Sequence, residues 1–298
     1  MKNKNTILAT FAALLAQIIF GLSFMSTRIA LKYASPMTVI ADRYIVAFLG
    51  LSFVMFIRKI KIKFSKNIWK LLLMSLFQPL LYFVFETYGI QMTTSSFSSI
   101  MISMIPIVSM ICGIFMLGEK PTTMQYVFTA LSVIGVVVTV LSGQADGTVS
   151  ILGVVLLSGA VLSSVGYNIA SRKLSTEFTV FERTYAMTVI GMISFVLISL
   201  FENVESPVKI FSSFSEASFL FSILYLGIFS SVIAFLCLNF ANTYLPVAKT
   251  TVFSNVTTVV SVLAGTIFLN EKLSIEVLVA IIAIITGVVG VQLINIKQ

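Results

Sequence analysis

The residues that could do chemistry are few, and most stand inside apolar runs. Glu86 is the foremost, an acid preceded at steps of four by Tyr82 and Gln78. On a continuous helix that spacing puts all three on one face, looking into a common cavity. A carboxylate placed there can receive a substrate amine or carry a proton, and strongly polar groups inside an apolar span are functional candidates by default. The alternative is that Glu86, a turn before Gly89, reaches interfacial water. Gln17, Phe20, Gly21 and Phe24 share a face of an earlier apolar segment; Ser163, Tyr167 and Ser171, with Asn168 beside them, share a face of a later one. Asn239 and Asn242 form a further polar step, for which solvation at the membrane interface is the alternative, and Asn255 stands near Thr257 and Thr258. Such Ser, Gly and Asn residues serve equally in close helix packing. Pro106 falls in mid-segment, where a missing N–H loosens a helix, so a bend or hinge is expected there.

What is missing narrows the chemistry further. The sequence has no histidine and only two cysteines, Cys112 and Cys237, both within long apolar stretches. Ser-His and Cys-His nucleophile pairs and mixed Cys/His zinc sites are therefore excluded, and the cysteines read as small packing residues. No GxxxxGK[ST] segment is present, so ATP hydrolysis by this chain is not expected. No metal-ligand cluster, cofactor or catalytic residue is expected either.

The elements that position these residues follow from composition. Of 298 residues 58% are hydrophobic and 10% charged, and the mean hydropathy is +1.07; soluble domains carry about 25% charged residues. Since about 20 apolar residues cross a bilayer as one helix, the apolar blocks predict an all-α integral membrane protein with ten transmembrane helices. These run near Ile7 to Leu31, Met37 to Ile57, Ile68 to Ile90, Ser95 to Leu117, Met124 to Ser142, Ser150 to Arg172, Phe181 to Phe201, Ala217 to Thr243, Pro246 to Leu269 and Ile275 to Ile296. The first run lacks a small-residue cleavage pattern and is expected to remain as a span.

The net charge of +8 would suggest a nucleic-acid partner in a soluble protein, but six of the nineteen basic residues lie between Arg58 and Lys70. Such a cluster marks a cytoplasmic loop facing anionic headgroups, so lipid is expected as partner and nucleic acid is not. With a cytoplasmic N-terminus, 14 Lys and Arg fall inside and 5 outside, which places both termini in the cytoplasm. In the same scheme Asp42-Arg43 and Glu182-Arg183 open the second and seventh helices, each acid favouring a helix N-terminus and each arginine snorkelling to headgroups.

Displacing the chain by 152 positions lays 100–143 over 252–295 without a gap, with 11 identities in 44 pairs. Val and Leu matches mean little in so apolar a chain. The shared Glu119-Lys120 and Glu271-Lys272 after long apolar runs, and the glycines Gly113/Gly265 and Gly135/Gly287, are harder to obtain from composition. A duplication into 1–145 and 146–298 is expected. Five helices per copy is an odd number, so the second copy enters the membrane inverted, and a central cavity is expected between the two.

The ten-helix count, the Ser35-Pro36 to Arg43-Tyr44 opening of the second helix, the Leu117-Gly118-Glu119-Lys120 end of the fourth and the Leu269-Asn270-Glu271-Lys272 end of the ninth resemble the EamA family of the drug/metabolite transporter superfamily. Asn270 departs from the glycine common at that place. The resemblance covers nearly the whole chain. It implies a carrier whose first, third, fourth, sixth, eighth and ninth helices surround the cavity, and it implies export of amino acids or related metabolites. The solute-binding expectation is thus Gln17, Phe20, Phe24, Gln78, Tyr82, Glu86, Ser163, Tyr167, Asn168, Asn239 and Asn255, with Pro106 as hinge. The expected protein is a secondary transporter of a small-molecule solute in the cytoplasmic membrane, working by alternating access as a functional monomer. The alternatives are an intramembrane lipid- or metabolite-modifying enzyme using Glu86 and Tyr82, and a polytopic receptor or scaffold without transport.

Overall fold

A computed structural model describes residues 2–62, 67–92, 101–142, 150–202, 213–269 and 275–294. Among these residues there is no strand. The helices are α1 (Lys2–Ala30), α2 (Pro36–Arg58), α3 (Ile68–Ser75), α4 (Tyr82–Gln91), α5 (Ile105–Leu117), α6 (Thr123–Ser142), α7 (Ile151–Leu174), α8 (Val180–Glu202), α9 (Ala217–Leu224), α10 (Ala234–Tyr244), α11 (Val247–Thr251), α12 (Ser254–Leu269) and α13 (Ile275–Leu293). A π-helical segment, Leu76–Leu81, joins α3 to α4, and a second, Tyr225–Ile233, joins α9 to α10.

Local chemistry sets several ends. Ser35 caps α2, its Oγ accepting from the Thr38 N–H at 3.4 Å, and Pro36 takes the first turn, where no N–H is needed. Thr179 and Glu182 form a reciprocal capping box at α8: the carboxylate accepts from the Thr179 N–H at 2.9 Å and the Thr179 hydroxyl accepts from the Glu182 N–H at 3.2 Å. Gly118 closes α5 at φ 66°, in the left-handed region that glycine enters without strain.

Among the described residues six helical stretches are long and apolar enough to cross a membrane: Lys4–Thr27, Pro36–Arg58, Ile68–Gly89, Ile151–Leu174, Val180–Glu202 and Ala217–Tyr244. Ile105–Leu117, Thr123–Val138 and Leu278–Val291 are shorter apolar helices. The chain is thus a multi-pass, all-helical membrane protein. Side chains such as Phe56, Phe115 and Phe201, 83%, 84% and 78% exposed, stand where hydrocarbon replaces water.

Two sequence expectations change, while the eighth span stands as Ala217–Tyr244 with the second π segment inside it. The fourth and ninth spans are interrupted: a turn at residues 103–104 precedes α5, and a turn at 252–253 separates α11 from α12. Pro106 therefore sits in the first turn of α5 and not in mid-helix, a position where its missing N–H leaves no helical bond unmade. The expected helix start at 95–100 and the Asn270-Glu271-Lys272 motif lie outside the described residues.

The helices pack in a pattern that repeats when the two halves are exchanged. α1 lies against α10 and α12, as α7 lies against α4 and α5; α2 packs on α8, and α6 packs on α13. The α6–α13 contact is antiparallel. A Cβ at Gly135 would meet the Ala280 oxygen at 2.8 Å and Ile284 Cγ1 at 2.8 Å; one at Gly287 would meet the Phe128 oxygen at 2.5 Å and Ser132 Cβ at 2.6 Å. Each of these contacts maps onto the other by the 152-residue shift. Ser132 donates to the Ile284 carbonyl at 3.3 Å, a residue bonding to its own repeat equivalent. Absence of side chains at the two glycines is what lets the backbones approach this closely.

Adding one methyl group tests this seam. Gly287→Ala is expected to lower stability in detergent by about 1–3 kcal/mol through overpacking. Gly50→Ala, where nothing lies within 4 Å of the new Cβ, is expected to leave the thermal midpoint unchanged or raise it.

Candidate functional site

Arg43 lies in the second turn of α2 and points inward. Its Nε donates to Ser231 Oγ at 2.9 Å and its Nη2 to Ser230 Oγ at 3.1 Å, both on the second π segment, and its guanidinium carbon lies 5.0 Å from the Phe83 ring centroid. Arg43 is 6% exposed, so it does not snorkel to headgroups as the sequence suggested. Nη1 has no hydrogen-bond partner among the described residues. Across from it on α4, Tyr82 donates its hydroxyl to Glu86 Oε1 at 2.8 Å. Glu86 is half-buried; among the described residues its Oε2 accepts no hydrogen bond, and the Arg43 charge acts on it without ion-pair contact. The site therefore presents a cationic donor and a carboxyl acceptor, each with one atom uncommitted among the described residues, in a low-dielectric setting where polar contacts are strong.

Gln78 does not join that face. Its backbone leaves the helical region (φ −146°, ψ 120°), so the step of four from Gln78 to Tyr82 is not a helical turn, whereas Tyr82 to Glu86 is. The 152-residue shift maps Gln78 and Pro79 onto Ser230 and Ser231. Both halves thus depart from regular α-helix at equivalent places, the first by a kink at Gln78, and the serines of the second are what Arg43 holds. Segments of π-helix are frequent at functional sites. Sequence reading missed these two serines because serine in an apolar helix is unremarkable until the arginine opposite it is known.

A second polar cluster joins α7, α8 and α10. Arg183 is fully buried; Nη1 donates to the Ser171 carbonyl at 2.6 Å and to Ser171 Oγ at 2.7 Å, and Nη2 to the Asn239 carbonyl at 3.1 Å and to Thr243 Oγ1. Asn239 Oδ1 accepts from Tyr167 at 3.0 Å and from Ser171 at 2.6 Å, while its Nδ2 donates to Thr184 at 3.0 Å. Asn242 donates to Asn168 Oδ1 at 3.0 Å. Asn239 and Asn242 are both 0% exposed, so neither meets the interface as one sequence alternative had it. Tyr167 and Asn239 are bonded to each other here, and Asn168 beside them to Asn242 and the Ser164 carbonyl. The caps place Arg183 level with Val39, one turn short of Arg43, so the two arginines are not structural equivalents.

The remaining expected residues are dispersed. Gln17 Oε1 accepts from Thr257 Oγ1 at 2.8 Å, joining α1 to α12. Phe20 meets Phe235 edge-on at 5.2 Å, and Tyr167 meets the same ring at 6.1 Å. Ser163 is buried on α7. Asn255, 1% exposed, donates to Ser132 Oγ at 2.9 Å and so faces the α6–α13 seam. The Phe24 side chain lies outside the described residues. Glu119 is more than a solvated loop acid: its carboxylate accepts from the Val247 N–H at 2.7 Å and the Ala248 N–H at 3.4 Å, securing the start of α11. On the α3 side, Lys70 donates to Glu177 at 2.6 Å and Asn67 to the same carboxylate at 2.9 Å; the Lys70 bond holds the exposed Glu177 carboxyl below its ordinary range. Among the described residues no group of three His, Cys, Asp or Glu gathers as a metal site.

Comparison with known proteins agrees with this architecture. The model of the EamA-like transporter family matches twice, at residues 7–141 and 151–293. The uncharacterized transporter YcxC of Bacillus subtilis (strain 168) is 34% identical over 286 residues, covering 95% of this chain and 92% of that protein. An uncharacterized transporter of Archaeoglobus fulgidus is 25% identical over 257 residues, covering 86% of this chain and 88% of its own. A solved crystal structure superposes with a TM-score of 0.80 at 17% identity, covering 98% of this chain and 99% of the other, and shares the fold. The chain belongs to the EamA-like transporter family and is a membrane transporter.

Arg183 provides a test of the second cluster. Lysine keeps the charge but cannot reach the two carbonyls and two hydroxyls at once. Arg183→Lys is expected to cost about 1.5–3 kcal/mol, the scale of a hydrogen bond to a charged group, read as a lowered thermal midpoint. An unchanged midpoint would remove the cluster's structural role.

Proposed function

We propose that this protein is a secondary carrier of small organic metabolites in the cytoplasmic membrane, an exporter of amino acids or related solutes, working by alternating access between two inverted five-helix repeats. The observation that carries this reading is the antiparallel α6–α13 seam, in which repeat-equivalent residues face one another. Two homologous helices that cross a bilayer antiparallel must belong to halves of opposite orientation, which supports ten spans with both termini on one side; the Lys and Arg distribution makes that side the cytoplasm. In such a carrier the two halves can exchange conformations and so open the same site to either face.

The geometry supports a solute position beside Arg43, Tyr82 and Glu86. Arg43 and Glu86 come from the first repeat, and the serines that hold Arg43 come from the second, so a shift between repeats alters the environment of both charges. A solute amine can engage Glu86 Oε2, and an anionic group can engage Arg43 Nη1. A solute that binds the two access states unequally biases the equilibrium between them. The Lys70–Glu177 ion pair joins the start of the third span to the segment between α7 and α8, in the other repeat. It is a contact that an opening on that side has to break.

Reconstitution tests this reading. Liposomes containing only this protein are expected to show saturable counterflow of at least one radiolabelled amino acid or nucleoside. Glu86→Gln is expected to reduce that flux by about tenfold or more, the equivalent of losing one charged hydrogen bond. Absence of counterflow for the whole panel would overturn the carrier reading; wild-type flux in Glu86→Gln would overturn the site.

A further inference from the structure

Asp42 is 0% exposed, and neither carboxylate oxygen has a hydrogen-bond partner. It does not serve the helix N-terminus as the sequence suggested, because α2 begins at Pro36 and Ser35 is its cap. Other buried or half-buried acids among the described residues are held: Glu182 by Thr179, Glu119 by two backbone N–H groups, Glu86 by Tyr82. Arg43 follows it directly, but successive side chains on a helix diverge by about 100°, and the Arg43 guanidinium is turned to Ser230 and Ser231.

The surroundings of Asp42 are apolar. Val39 and Val46, three residues before and four after, share its face of α2. Val39 packs with Phe219, Ile223 and Leu226, and Val46 sits where a Cβ on Gly227 would meet it at 2.5 Å. That face therefore lies against α9 and the second π segment. The elements packed on α2 bear Glu182, Arg183, Tyr185 and Glu202 on α8, Tyr82, Glu86 and Tyr88 on α4 and Tyr225 on the π segment, with Glu216 preceding α9. None of these groups bonds to Asp42. An ionised carboxylate without partners in such a setting costs several kcal/mol, so the side chain holds its proton here.

We propose that Asp42 is a proton-binding site that couples transport by this protein to the proton gradient; the coupling rests on the carrier reading above, while the proton site does not. The proton is carried as a carboxylic acid while α2 is closed on the π segment. When the two part and water enters, the O–H bond breaks, the electron pair stays on the Asp42 carboxylate and the proton passes to water. Reprotonation from the opposite face precedes closure. The π segment is the natural joint for this parting, because π segments within helices are frequent at functional sites and its serines already bind the residue next to Asp42.

Two measurements on the full chain in liposomes test the proposal. The first is an infrared difference spectrum between wild type and Asp42→Asn at pH 5.5, which needs no solute. It is expected to contain the carbonyl stretch of a protonated carboxylic acid; a carboxylate signal in its place would overturn the proton site. The second uses a radiolabelled amino-acid mixture with and without an imposed pH gradient. The gradient is expected to stimulate wild-type flux, and Asp42→Asn to lower that stimulation by about tenfold or more, with a thermal midpoint at or above that of wild type. A full pH response in Asp42→Asn, or a response to sodium in place of pH, would overturn the coupling. If no amino acid is carried, the carrier reading fails on that count while the infrared result still decides the proton site.

Discussion

The close antiparallel approach of α6 and α13 is the constraint on which the rest depends. It needs glycine at Gly135 and Gly287, because a Cβ at either place would fall within 2.8 Å of backbone on the facing helix. It also brings Ser132 onto its own repeat equivalent, Ile284. Two like helices can meet residue on residue in this manner when a two-fold axis runs between them. The wider packing then follows in matched sets, α1 with α10 and α12, α7 with α4 and α5.

Against this near-symmetric frame the charges are distributed unevenly. The 152-residue shift maps Tyr82 onto Ala234 and Glu86 onto Leu238, so the second half has no counterpart of the acid that faces Arg43. It has instead the Arg183–Asn239 cluster, in which nearly every donor is matched by an acceptor within the protein. Buried polar networks that are satisfied in this way hold helices in register, whereas polar atoms left uncommitted are those available to a solute or an ion. The halves therefore differ: one is braced internally by its polar groups, and the other leaves Arg43 Nη1 and Glu86 Oε2 without hydrogen-bond partners among the described residues.

Much of this was legible in the sequence, and for stated reasons. Apolar run length marks spans, and the Glu-Lys and glycine pairs at constant displacement mark duplication, since both are one-dimensional signals. The Tyr82–Glu86 pair was readable because a single helical turn fixes it. What failed needed a third dimension. Gln78 was separated from that face by a backbone break, Pro106 moved to a helix start because a turn precedes α5, and Asn239, Asn242 and Asn255 were drawn into packing by partners on other helices. Arg43 and Asp42 looked like interfacial anchors because their depth depends on where α2 begins, which Ser35 decides.

The most direct test of the account is the orientation of repeat-equivalent positions in the bilayer. With Cys112 and Cys237 replaced by serine, single cysteines at Lys120 and Lys272 can be challenged in right-side-out vesicles with a membrane-impermeant thiol reagent. The account predicts that Lys120→Cys reacts only after the vesicles are opened and that Lys272→Cys reacts from outside. Reaction of both from the same face would contradict it.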